Sequence, residues 1–143
     1  MNTFQSMRIS ASGLSAERLR MDTISSNIAN ATTTRTKSGD PYRRKVAVFE
    51  ESLKREVNKV TKESEMISKG VKASGIIEDK SPFKRVYNPK HPDADENGYV
   101  KMPNVNILNE MIDMMAATRA YEANVTAMNA TKNMYMKALQ IGR

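Results

Sequence analysis

Asn104-Val-Asn-Ile-Leu-Asn-Glu-Met-Ile-Asp-Met-Met-Ala-Ala-Thr-Arg-Ala-Tyr-Glu-Ala-Asn-Val125 opens a final stretch that runs through Lys137-Ala-Leu-Gln-Ile-Gly-Arg143. No proline interrupts it, and its one glycine is Gly142. Steps of three and four pick out Ile107, Met111, Met114, Thr118, Tyr121, Val125, Met128, Lys132, Tyr135 and Leu139. All but Thr118 and Lys132 are apolar or aromatic, the pattern of a coiled-coil seam. A second row lies beside it: Leu108, Ile112, Met115, Ala123, Ala127, Ala130, Met134, Ala138 and Ile141. A helix with two adjacent apolar rows needs more than one partner. The spacing therefore predicts a long helix over 104–143 with Asn104 or Asn106 as its N-cap. Glu110 and Asp113 near its start, and Lys132, Lys137 and Arg143 near its end, suit the helix dipole.

A matching signal lies at the other end of the chain. Met7, Leu14, Met21 and Ile28 recur at intervals of seven, with Phe4 and Ala11 completing the seam and Arg18 and Ser25 interrupting it. Ile9, Ala16, Leu19 and Ile24 form a second row. Gly13 inside this helix costs about 1 kcal/mol against alanine, which is tolerable where a neighbouring helix approaches closely. The Asn and Thr side chains of Asn27-Ile-Ala-Asn-Ala-Thr-Thr-Thr34 compete for backbone hydrogen bonds and end the helix. At 1.5 Å per residue the two helices measure about 40 and 55 Å.

Between them the pattern changes. Thr32–Asp40 is a polar loop closed by Ser38-Gly-Asp-Pro41. Tyr42–Phe49 reads as a strand. Glu50–Ser64 has helical spacing of apolar residues but is heavily charged and β-branched, and reads as a mobile loop or insertion. Gly70–Asp79 and Phe83–Pro89 read as two strands joined by Asp79-Lys-Ser-Pro82. Lys90–Pro103 reads as irregular. The expected fold is mainly α with a small β insert: helix 1–32, a β-rich middle over 33–103, and helix 104–143, the two helices pairing as a coiled coil and forming one helical domain.

Composition excludes several functions. The chain has 143 residues and no cysteine, so it has no disulfide, thiol catalysis or cysteine metal site. No apolar run is long enough to span a bilayer, and the N-terminus lacks the apolar core of a cleaved signal peptide. Net charge is +7. Between Arg35 and Lys72 eleven Lys/Arg face six Asp/Glu. The bases are interleaved with acids, which describes a solvated face better than a phosphate-binding patch. Eleven methionines against three phenylalanines suit helices that meet several unlike neighbours.

No catalytic constellation is present. Asp93-Ala-Asp-Glu-Asn-Gly98 matches the first half of a calcium loop, but the twelfth position, where a bidentate glutamate belongs, is Asn104. An Asx-rich turn is the better account. His91, the one histidine, reads as a loop residue, since one histidine makes neither triad nor metal cluster. No cofactor, metal or small-molecule substrate is expected. Each helix offers apolar residues around more than half its circumference, while one partner helix covers about a third; a surplus of that size signals association. A basic module for nucleic acid or a membrane surface is the alternative, with steeply salt-dependent binding as its mark. A lytic enzyme would need a paired-carboxylate site that the sequence does not supply.

Ala11-Ser-Gly-Leu-Ser-Ala-Glu-Arg-Leu-Arg-Met-Asp-Thr-Ile-Ser-Ser-Asn-Ile-Ala-Asn-Ala-Thr32 resembles the N-terminal signature of the bacterial flagellar rod, hook and hook-associated family. Arg119-Ala-Tyr-Glu-Ala-Asn124, after Glu110-Met-Ile-Asp-Met-Met115, resembles its C-terminal helix. Tyr42-Arg-Arg-Lys45, Gly75-Ile-Ile-Glu-Asp79, Ser81-Pro-Phe83 and His91–Val100 through Pro103-Asn-Val105 narrow the likeness to its proximal-rod members. The likeness departs at about 51–69. It implies a structural subunit, exported uncleaved through the flagellar type III apparatus and assembled in the periplasmic basal body, with no catalysis. The implied partners are copies of itself, the other proximal-rod proteins, the junction protein to the membrane ring, and the distal rod above. Met7, Leu14, Met21, Ile28, Met111, Met114, Tyr121, Val125 and Leu139 are the expected packing residues. Asn27, Asn30, Arg119 and Asn124 are carried over as inter-helix polar contacts. Tyr121 and the inner seam are expected against the chain's own N-terminal helix, and the row Ile112 to Ile141 against neighbours.

Overall fold

The computed structural model describes residues 3–57 and 64–141. The order of elements is α1 (Thr3–Ala29), β1 (Lys45–Val57), β2 (Ser64–Glu78), β3 (Lys84–Tyr87), β4 (Tyr99–Met102) and α2 (Ile107–Ile141). The two terminal helices are where the periodicity puts them. Met1 and Asn2 of the expected N-terminal helix, and Gly142 and Arg143 of the C-terminal one, lie outside the described residues. Asn106 is the N-cap of α2: its Oδ1 accepts a hydrogen bond from Leu108 N at 3.1 Å. Asn104 instead links two loops, accepting from Arg44 N and donating to Asp79 O.

The middle corrects the sequence reading at three points. Residues 50–57 and Ser64 are strand, not a mobile loop; 58–63 lie outside the described residues. β1 pairs with β2 through backbone groups, which dense side-chain charge does not prevent. Second, the strands on either side of Asp79–Pro82 are not partners. β2 belongs to β1, and β3 pairs antiparallel with β4, in the register Lys84↔Met102 to Tyr87↔Tyr99. Third, β4 falls inside the stretch read as irregular. Only Val100 of its four residues is buried, so no alternation is visible in so short a run.

The chain divides into two compact units. One takes the described residues up to Leu19, those of Val48–Gly75 and those from Ala117 onward; the other takes Arg20–Ala47 and Ile76–Ala116. In the first, Phe4 meets Tyr135 edge to face at 5.6 Å between centroids. Gly13 faces Asn124, whose side chain would stand 3.0 Å from a Cβ built on the glycine. The partner numbers fall as α1 advances, so the helices run antiparallel there. β2 lies against α1 in the same unit: Gln5 donates to Ser68 O, and Val71 N donates to Ser12 Oγ at 3.1 Å. Gly70 makes this approach possible. Its φ is +103°, and a Cβ there would stand 2.1 Å from Ser12 Oγ. In the second unit the buried residues include Ile24, Thr23, Asn27, Tyr42, Val100 and Glu110.

The covered face of α2 is offset from the expected seam. Its less exposed positions include Glu110, Met114, Ala117, Tyr121, Asn124, Met128 and Thr131, a strict alternation of four and three. The apolar reading found Met114, Tyr121 and Met128 but passed over the polar members. Each of those makes a side-chain hydrogen bond. Asn124 Nδ2 donates to Ala120 O and Thr131 Oγ1 to Ala127 O, both at 2.9 Å. Glu110 is bonded by the network described next.

Candidate functional site

Among the described residues, a dense side-chain network sits where the end of α1, the start of β1 and the first turn of α2 meet, all within the second unit. Asn27 is 1 % exposed and uses its whole amide. Its Nδ2 donates to Lys45 O at 2.8 Å and to Glu110 Oε2 at 2.9 Å. Its Oδ1 accepts from Tyr42 Oη and from Lys45 N, both at 2.9 Å. Glu110, also 1 % exposed, takes a charge-assisted bond from Arg44 Nε at 2.6 Å on its other oxygen. The second guanidinium edge reaches Asp113 at 3.5 Å and Asp79 at 3.9 Å. A buried carboxylate is tolerable only with this degree of satisfaction.

Asp79 closes the rim. It accepts from Ser81 Oγ at 2.5 Å and Ser81 N at 2.9 Å. Those two bonds, with help from Arg44 and Arg43 and against a smaller opposing effect of burial, hold its carboxyl below the usual aspartate range. Arg43 lies over the Phe83 ring and donates to Asp79 O. Arg44, Tyr42 and Glu110 were not among the sequence-derived contact residues. The legible signal was that Glu110 stands at intervals of seven from Ala117 and Asn124, a seam position where an acid needs a partner.

The other expected positions fall into distinct places. Asn27 bridges α1 and α2 through Glu110. Asn30 bonds locally, donating to Ser26 O and accepting from Thr33 Oγ1, at the end of α1. Asn124 packs over Gly13 while back-bonding its own helix. Arg119 is exposed. Met7, Leu14, Met21 and Ile28 are half-buried at the border of a narrow exposed stripe on α1. On α2, Met114, Tyr121 and Val125 are half-buried, whereas Met111 and Leu139 are exposed.

The two helices differ in how much they bare. α1 is touched by a strand on one side and by α2 on another. α2 leaves Leu108, Ile112, Met115, Met134 and Ile141 exposed, along with Met111, Met136 and Leu139. That is an apolar surface far beyond scattered single residues. Among the described residues no group of acids and histidine is placed to hold a metal ion, and no helix is long and apolar enough to cross a membrane. The Asp93–Gly98 segment is a turn: Asp95 Oδ1 accepts from Asn97 N and Tyr99 N, and Gly98 has φ +77°. His91 Nδ1 accepts from Asp93 N in the loop before it.

Comparison with known proteins follows the same division of the chain. Residues 7–37 match the family model described as flagella basal body rod protein, and 96–141 match flagellar basal body rod FlgEFG protein C-terminal. The chain is 51 % identical over its full length, and over the full length of the relative, to the flagellar basal-body rod protein FlgC of Bacillus subtilis. It is 44 % identical to that of Borreliella burgdorferi, covering 99 % of this chain and 98 % of the relative. The FlgC of Salmonella typhimurium is 40 % identical over 94 % of each chain. With a long helix toward each end and identity along the whole length, the chain belongs to the FlgC family of flagellar basal-body rod proteins, which are structural subunits and not enzymes.

Proposed function

We propose that this chain polymerises through α1 and α2 into a hollow helical tube, the proximal rod, which transmits torque and passes export substrates through its lumen. The helices pair as a coiled coil, with Met114, Tyr121 and Val125 toward the chain's own α1. The outer row of α2, from Ile112 to Ile141, meets neighbouring subunits. Met7, Leu14, Met21 and Ile28, at the edge of the covered face of α1, complete those contacts together with Met111 and Leu139. Copies of the chain, the other proximal-rod proteins, the junction protein to the membrane ring and the distal rod are the partners. The chain reaches the periplasm through the flagellar type III export apparatus.

The observation that carries this reading is the exposed apolar face of α2. It is too extensive for a chain that works alone, and family membership supplies neighbours of the same build. Paired Ile112→Asp and Met134→Asp substitutions test it. Both sites are exposed, so circular dichroism of the purified chain should be unchanged while rods and motility are lost. Normal rods in both variants would refute the assignment of this face.

A further inference from the structure

The methionines divide by element. On α2, Met111, Met115, Met134 and Met136 are 53 %, 60 %, 64 % and 50 % exposed. Every other methionine whose side chain the structure describes is half-buried: Met7 and Met21 on α1, Met102 on β4, and Met114 and Met128 on the inner face of α2. The exposed thioethers thus lie on the apolar surface assigned above to subunit contacts, and the chain has no cysteine to intercept an oxidant first. A thioether is apolar and adaptable, which suits a surface meeting unlike neighbours. It is also a nucleophile toward peroxides. The sulfoxide that results is polar and carries a strong acceptor oxygen.

We propose that these four methionines are an oxidation site that gates assembly. The proposal rests on the reading of α2 as the assembly face. A sulfur lone pair attacks one peroxide oxygen; the O–O bond breaks, and the second oxygen leaves as water after proton transfer. Sulfur is oxidised by two electrons and hydrogen peroxide is reduced. In the free chain the product oxygen is solvated and the fold persists. In an assembled wall the same oxygen would be stripped of water among apolar neighbours, so an oxidised subunit is excluded. A subunit already in place has these sulfurs covered.

Two measurements test this. The purified chain is treated with hydrogen peroxide and the rate at each methionine is read by peptide mass spectrometry. Met111, Met115, Met134 and Met136 should oxidise several-fold faster than Met7, Met21, Met102, Met114 and Met128, with helix content retained. Equal rates across the nine would overturn the proposal. In cells, peroxide given while rods are being built should reduce the number of rods in the parent. It should do so much less in a strain carrying M111L, M115L, M134L and M136L, which keeps apolar bulk without the sulfur. Equal loss in both strains would overturn the proposal. Met115→Gln with Met134→Gln, which places a polar oxygen near the sulfoxide position, should block assembly without any oxidant; normal rods in that variant would also overturn it. If cells lacking the chain still build rods, it is the assembly reading that fails, and the oxidation rates stand apart from that result.

Discussion

Asn27 shows how one side chain can hold three elements. All four of its hydrogen-bonding positions are spent, on Lys45, Tyr42 and Glu110. Asn27→Leu keeps the approximate volume and leaves Glu110, Tyr42 and both backbone groups of Lys45 short of a partner. A destabilisation of about 3 kcal/mol is expected, read as a shift in the urea midpoint. Gly70→Ala should also be costly, because its φ of +103° and the closeness of Ser12 both oppose a Cβ. The expected loss is about 2 kcal/mol in the same assay, and pairing it with Ser12→Gly should recover only the steric part. Asp79 gives a pH dependence. Its folded-state value is lowered, chiefly by the Ser81 bonds, so its contribution is complete above the unfolded aspartate value of 3.8 and is lost as pH falls through the folded one. Parent and Asp79→Asn should therefore differ in urea midpoint at neutral pH and converge in acid below about pH 4.

At the scale of elements, the covered heptad on α2 contains Glu110, Asn124 and Thr131. A search for apolar periodicity selects rows of hydrophobic residues, and this helix has more of those than it can cover within one chain. It therefore finds the seam at Met114, Tyr121 and Met128 and misses both the polar positions and the small Ala117. The strands were legible to different degrees for the same kind of reason. The start of β1 and the body of β2 carry β-branched residues and show up. The remainder of β1 is charged and is held by backbone pairing, while β4 buries a single valine. Polar insertion also marks where α1 and α2 are tied, so Leu14→Asp and Val125→Asp are expected to reduce the helix content of the purified chain. Circular dichroism distinguishes them from Ile112→Asp, which lies on the exposed face and should leave the spectrum unchanged.

For the whole molecule, the distribution of exposed apolar residues matters more than their number. α1 is flanked by a strand and a helix, and α2 bares most of its circumference. On the proposed reading α2 offers the larger apolar face for association, and α1 adds residues at the edge of its covered face. It follows that the purified chain should associate through α2 with weak dependence on salt, because the contact is apolar. Sedimentation at low and high ionic strength checks this: a basic nucleic-acid or membrane-surface module would instead lose its binding steeply as salt rises.

The sequence by itself determined the two terminal helices, the β character of the middle, the absence of cysteine chemistry and, through its motifs, the flagellar rod family. Helix periodicity is local, and motif likeness is carried by the residues themselves, so neither needs the fold. Tertiary structure decided which strands pair, which face of α2 is covered, and what a buried glutamate is doing in the first turn of that helix. Pairing is made by backbone groups that all residues share. A buried charge is intelligible only once Asn27 and Arg44, distant in sequence, are brought within hydrogen-bonding reach of it.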